Sequence, residues 1–133
     1  MCLSRKKGGF AIKRNLDLIR ALLLWAEANC NGTRLFTSTY VKIEGYKLDE
    51  INFHLMLLQD CGYIDSSYDS KLGRTKFVHF SRLTSQGCDY LDSVRDNSVW
   101  DQTKSKLASV GGSAALETIK AVAAKVAIAA IFG

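Results

Sequence analysis

From residue 17 to residue 30 the chain reads "DLIRALLLWAEANC", which sets Leu18, Ile19, Leu22, Leu23, Ala26 and Cys30 on one side of a helix and Arg20 and Glu27 on the other. This spacing predicts a core-packed helix, with Asp17 in its first turn facing the positive end of the dipole and Asn31-Gly32 as its stop. In "TRLFTSTYVKI", residues 33 to 43, β-branched and aromatic residues alternate and predict a strand with Leu35, Thr37, Thr39, Val41 and Ile43 on one face. A second helix is predicted from about Leu48 to Cys61, ended by Gly62. The following "YIDSSYDSKLGRTKFVHFSRL" contains two strand-like runs around a polar turn at Lys71 to Arg74, which is the pattern of a hairpin. Thr84 is a good N-cap for the next helix, with Leu83 and Cys88 spaced as a hydrophobic staple. Ser98 and Asp101 form a further capping pattern for a helix reaching about Val110, aligning Trp100, Thr103, Leu107 and Val110. Gly111-Gly112 breaks that helix, and Ser113 begins a last one with Leu116, Ile119, Ala123, Val126 and Ala130 on a common face.

The pattern fits a chain of 133 residues with 47% apolar and 23% charged residues, an ordinary composition for one globular domain with appendages. The net charge of +5 is patchy. Residues 1 to 14 carry Arg5, Lys6, Lys7, Lys13 and Arg14 without an acid, whereas residues 83 to 101 carry four aspartates against Arg95 alone. Cys2, Cys30, Cys61 and Cys88 form no C-x-x-C pair and lie near no histidine cluster, so reduced, mostly buried thiols and no metal site are expected. The positive start leads into Gly8-Gly9 and Lys13-Arg14 instead of an apolar signal run, which points to the cytoplasm. Lys120 and Lys125 interrupt the apolar C-terminal stretch, leaving it short of the ~20 residues of a membrane span.

Catalysis finds little support. His54 and His79 are the only histidines, and neither has a neighbouring nucleophile or metal-ligand signature. His54 falls at the edge of the buried helix face, as a hydrogen-bonded structural histidine would. No P-loop or dinucleotide fingerprint is present. The expectation is a protein that is not an enzyme, with no cofactor, no metal and no small-molecule substrate.

The order helix, strand, helix, hairpin resembles a winged helix, giving an α+β, mainly α fold with additional C-terminal helices. The corresponding division is a basic extension over 1–12, a winged-helix domain over 13–96, and a helical extension over 97–133 hinged at Gly111-Gly112. "KRNLDLIR" at 13 to 20, "GYKLDEINFHLMLLQDCGYI" at 45 to 64 and "RLTSQGCDYLDSVRDNSVW" followed by "KSKLASVGG" together resemble the domain-of-unknown-function 2513 family of small bacterial and prophage proteins. The resemblance spans roughly residues 13 to 115. It implies a winged-helix-like fold and an association with mobile elements, but no particular activity. The chain departs from that family's pattern at Lys47, where members usually carry a capping Ser, and at residues 1 to 12, which look like an extension.

In a winged helix the second predicted helix would read DNA. Here Leu48, Ile51, Leu55 and Leu58 form its inner face, and Asp49, Phe53, Met56, Leu57 and Asp60 its outer one, with Glu50 alongside. Only Asn52 and Gln59, toward the margin, have side chains suited to base edges, and the carboxylates oppose phosphates. Phe53 and Met56 suit a protein interface instead, or are covered by another part of the chain such as the last helix. A basic surface is predicted from Lys71, Arg74 and Lys76 at the hairpin tip, Arg82 at its end, and Arg5, Lys6, Lys7, Lys13 and Arg14 in the N-terminal arm. The leading expectation is therefore a nucleic-acid-binding accessory or regulatory protein of prophage or mobile-element origin that touches DNA through wing and arm. The alternative is an adaptor whose outer helix face meets a protein partner or a second copy. A membrane-active role for the last helix is the remote third, since alanines are poor membrane anchors and docking on its own domain or a dimer partner is expected instead.

Overall fold

A computed structural model of the chain describes residues 11–68 and 77–133. The expected turn at Lys71 to Arg74 lies outside the described residues. Five helices and a three-stranded antiparallel sheet make up the described part, an α+β fold dominated by helix. In chain order they are α1 (Leu16–Asn29), β1 (Phe36–Thr37), a 3-10 turn (Ser38–Tyr40), α2 (Leu48–Asp60), β2 (Ile64–Tyr68), β3 (Val78–Leu83), α3 (Ser85–Val94), α4 (Asn97–Ala108) and α5 (Leu116–Phe132). The sheet order is β1-β3-β2, so the strand that closes the hairpin is the central one.

Helix α1 forms where its periodicity places it, and Leu18, Ile19, Leu22, Leu23 and Ala26 are buried. Asn15 caps it, its Oδ1 accepting the Leu18 N–H at 3.0 Å. The backbone N–H of the same Asn15 donates to His54 Nε2 at 2.8 Å, while His54 Nδ1 lies 2.8 Å from the Glu50 carbonyl. This pair of contacts defines one tautomer: Nδ1 carries the proton and Nε2 is the acceptor. His54 is thus the structural histidine expected, clamping the start of α1 to α2.

Burial pushes the His54 imidazole below its ordinary pKa of 6.5, outweighing the opposing pull of Glu50. As the pH falls, the unfolded chain takes up this proton before the folded one does. The stability contributed by neutral His54 is therefore complete above its ordinary pKa and is lost as the pH falls through the lowered folded value. Urea midpoints measured between about pH 7.5 and about pH 5.5 should decline, and His54→Gln should flatten that slope. An unchanged slope in the variant would remove His54 as its cause.

The strand expected over 33 to 43 is a correction. Only Phe36 and Thr37 pair, opposite Phe80 and His79, before the chain turns through Ser38–Tyr40. Hydroxyls explain the break. Thr37 and Thr39 bond to each other through their Oγ1 atoms, and Val41 N–H returns to the Ser38 carbonyl at 3.1 Å, so local bonds replace the ladder. Ser38 and Val41 are buried, whereas Leu35 is 63% exposed, so the alternation predicted for this segment does not hold.

Thr84 caps α3 as its position suggests, accepting the Gly87 N–H at 3.1 Å. The expected staple partner Cys88 is exposed, while Leu83 packs against the core, because α3 turns Gly87 and Leu91 inward instead. Cys30 and Cys61 are only half-buried, so the expectation of mostly buried thiols is also corrected for the described cysteines. Asp96, not Ser98, caps α4, accepting the Val99 N–H at 2.9 Å. Arg20 fixes that corner by donating to the carbonyls of Val94 and Arg95 and to Asn97 Oδ1. Val110 consequently lies beyond the helix and is 70% exposed. The last helix starts at Leu116, not Ser113, and Ala130 is exposed near its end.

Leu116, Ile119, Ala123 and Val126 of α5, with Val99, Trp100 and Leu107 of α4, join the core built by α1, α2 and the sheet. Trp100 Nε1 donates to Asp17 at 2.8 Å, and Lys104 Nζ lies 3.0 Å from the same carboxylate, tying α4 to the first turn of α1. None of the described helices is long and apolar enough to cross a membrane.

Candidate functional site

The outer face of α2 carries an open, largely apolar groove. Glu50 Oε1 accepts the Lys47 N–H at 3.0 Å and Asp49 Oδ1 accepts the Glu50 N–H at 2.8 Å, so two acids start the helix where its dipole favours them. Lys47 has no acceptor on its side chain, and Glu50 supplies the reciprocal half of a capping box alone. The inner face holds Ile51, Asn52, His54, Leu55 and Leu58.

Two residues stand apart from their expected roles. Leu48 is 40% exposed rather than part of the inner face. Asn52 is buried and cannot offer a base edge its amide: its Oδ1 accepts the Val78 N–H at 3.0 Å, pinning β3 to α2, and its Nδ2 lies 3.9 Å from Met56 Sδ. Satisfying a backbone donor at the start of β3 is a structural task.

Phe53 and Met56 are half-buried and face an open groove of about 570 Å³, whose other apolar walls are Leu48, Ile12 and Phe77. Lys47 and Asp49 stand at its rim. The last helix does not fill this groove; α5 packs on α3 and α4. Of the remaining outer-face residues, Leu57 is half-buried against the core and Asp60 is exposed at the helix end. Ile12 and Phe77 were not singled out by sequence reasoning. Phe77 shares a strand face with His79, opposite the buried Val78 and Phe80, and Ile12 is an isolated apolar residue beside Lys13, so neither belongs to a periodic apolar face.

The expected basic surface is only partly described. Lys13 shares a shallow polar recess with Lys47 and Glu50, whereas Arg14 lines a different cavity with Tyr63, Glu117 and Lys120. Arg82 is engaged by Asp65 at 3.7 Å and by the Leu83 carbonyl at 3.0 Å. Arg5, Lys6, Lys7, Lys71, Arg74 and Lys76 lie outside the described residues.

The Arg14 cavity, of about 460 Å³, joins the end of α2 to the start of α5. Tyr63 donates to Glu117 Oε2 at 3.5 Å, and burial with the neighbouring Glu117 charge pushes its phenol up to about 12, so it stays a neutral donor. Burial also raises the Cys61 thiol, away from thiolate chemistry. Among the described residues no group of His, Cys, Asp and Glu could hold a metal ion.

Comparison with known proteins agrees with the sequence motifs. The family described as hypothetical protein (DUF2513) matches residues 13–113. An uncharacterized protein of Haemophilus influenzae is 32% identical over 113 residues, covering 84% of this chain and 92% of that protein. No solved structure matches the chain.

Proposed function

Since the chain belongs to the DUF2513 family of hypothetical proteins, we propose from its own surface that it is a protein-interaction adaptor, a winged-helix scaffold that docks a partner on the outer face of α2. The strand order β1-β3-β2, with a short turn at Ser38–Tyr40 before α2, supports the winged-helix reading. The groove is the observation that carries the function. Phe53 and Met56 lie between Ile12 and Phe77 in a cleft that no described helix fills. Half-exposed aromatic and thioether side chains in a cleft are typical anchors of protein interfaces.

Charge narrows the partner. Asp49 and Lys47 both line the groove, so the fitting segment pairs apolar anchors with a charge of each sign. A photo-cross-linking amino acid placed at Phe53 should capture a partner in cells through a peptide of that composition, and Met56→Lys should suppress the adduct. The same probe at Tyr40, 60% exposed but away from the groove, is the control. Equal labelling from both positions would sink the adaptor reading.

A second reading, nucleic-acid binding by an accessory or regulatory protein of a mobile element, has one observation in its favour. Ile12, next to Lys13 and Arg14, and Phe77, at the start of the strand that closes the hairpin, line the same groove beside α2. Duplex binding that falls steeply with salt and is abolished by charge reversal at Arg74 and Lys76 would favour this reading.

A further inference from the structure

We propose that the cavity between the end of α2 and the start of α5 binds a small hydroxylated molecule through its oxyanion head, a phosphate or a carboxylate. The site goes beyond the adaptor reading and does not rest on it, since this cavity and the groove on α2 share no lining residue.

Four separate segments build the wall. Arg14 precedes α1, Tyr63 follows α2, Gln86 lies in the first turn of α3, and Leu116, Glu117 and Lys120 belong to the start of α5. Arg14 and Lys120 thus bring two positive charges to one recess from opposite ends of the chain. Among the described residues neither is ion-paired, although Glu117 stands one helical turn from Lys120 on the same wall. The Glu117 carboxylate instead accepts the Tyr63 hydroxyl at 3.5 Å, which leaves both cations uncommitted.

Helix α5 adds donors of its own. Its first bond runs from the Ile119 N–H to the Ala115 carbonyl, and Ala115 has no side-chain acceptor to act as a cap. The N–H groups of Leu116 and Glu117 consequently meet no acceptor among the described residues. This end of a helix of 17 residues carries partial positive charge, which favours an anion beside it.

A separate observation also points to a ligand. Tyr90 has no exposed surface, and its hydroxyl has no hydrogen-bond partner among the described residues. Its ring packs on that of Tyr63, with centroids 5.3 Å apart, and Arg14, Cys61 and Tyr63, all on the cavity wall, act electrostatically on its phenol. Burial pushes that phenol far above its ordinary range, so it stays protonated, a donor next to the cavity that no described group satisfies.

A volume of about 460 Å³ suits a small molecule. Glu117 selects within that class. Its carboxylate accepts hydrogen bonds and repels a second negative group, so the part of the ligand beside the oxyanion carries a hydroxyl. It also opposes a continuous phosphate backbone, for which Arg14 and Lys120 alone are too few.

The test is an amide NMR titration of the isotope-labelled full-length protein with inorganic phosphate, glycerol phosphate and lactate at constant ionic strength. Saturable shifts of the Leu116 and Glu117 amide signals are expected, with none from chloride. Tighter binding of glycerol phosphate assigns a phosphate head, and tighter binding of lactate a carboxylate head. Arg14→Gln and Lys120→Gln should each weaken the better probe by about tenfold, whereas Lys125→Gln, on α5 outside the cavity, should leave it unchanged. All three side chains reach the surface, so an unaltered urea midpoint is expected and shows that the fold is intact.

Shifts that never saturate, or that chloride reproduces, overturn the proposal, as does binding that survives both Arg14→Gln and Lys120→Gln unweakened. Shifts of the same amides by a DNA duplex but by none of the small probes would give the recess to a nucleic-acid backbone and overturn the small-molecule assignment.

Discussion

Gly87→Ala is expected to destabilise the fold by about 3 kcal/mol, read as a lower urea midpoint at unchanged slope. A Cβ at this position would sit 2.1 Å from the Tyr63 carbonyl oxygen and 3.0 Å from its carbon, both backbone atoms that no rotamer change can move. That oxygen accepts the Thr84 N–H at 3.0 Å, so backing α3 away from Tyr63 to make room also breaks the bond that seats the helix N-terminus. The gain in helix propensity from Gly to Ala, about 1 kcal/mol, is too small to offset the clash. Thr84→Ala, which removes the cap but leaves the approach intact, should cost less, about 1 kcal/mol. If the order of the two variants reverses, close approach is not the reason for glycine here. The motif Leu-Thr-x-x-Gly-x-x-x-Leu thus has a physical content: Thr84 caps, Gly87 admits the Tyr63 backbone, and Leu91 is buried in the core.

The second large effect is expected at the centre of the sheet. Phe80→Ala should cost about 3 to 5 kcal/mol, the range for a fully buried aromatic replaced by a methyl group. Phe80 has no exposed surface and lies on β3 between Phe36 of β1 and Ser66 of β2. Its ring centroid is 6.0 Å from that of Trp25 and 6.4 Å from that of Phe36, so it couples α1 to the sheet. Thermal or urea unfolding gives the magnitude, and Trp25 emission should shift to the red as water reaches the vacated space. A loss below about 1 kcal/mol would mean that the neighbours close over the cavity and that the sheet does not depend on this ring.

The two variants probe features with different visibility in the sequence. Phe80 belongs to one of the two strand-like runs that predicted the hairpin, and the role of Thr84 as a cap followed from its residue type, flanked by Leu83 and Cys88. The clash at Gly87 did not follow from any pattern, since it involves a backbone atom 24 residues away in the chain. The same distinction separates the parts of the candidate site. Phe53, Met56 and Asp49 were legible as the outer face of α2, because helical periodicity sorts residues around one axis. Ile12 and Phe77 were not, because they come from segments on either side of α2 in sequence and meet it only in the packed structure.

By itself, the amino-acid sequence determined the local elements: five helices through apolar spacing and capping residues, stops at Gly32, Gly62 and Gly111, the cap at Thr84, and two strands able to form a hairpin. These depend on interactions between residues a few positions apart. Tertiary structure decided where β1 ended, since the burial of Ser38 and Val41 outcompeted alternation. It decided that Asn52 holds Val78 instead of facing outward, and that Leu48 stays partly exposed. It also decided that Phe53 and Met56 line a groove. The reason is geometric: periodicity states which way a side chain points from its own helix, whereas burial depends on which distant segment arrives to cover it.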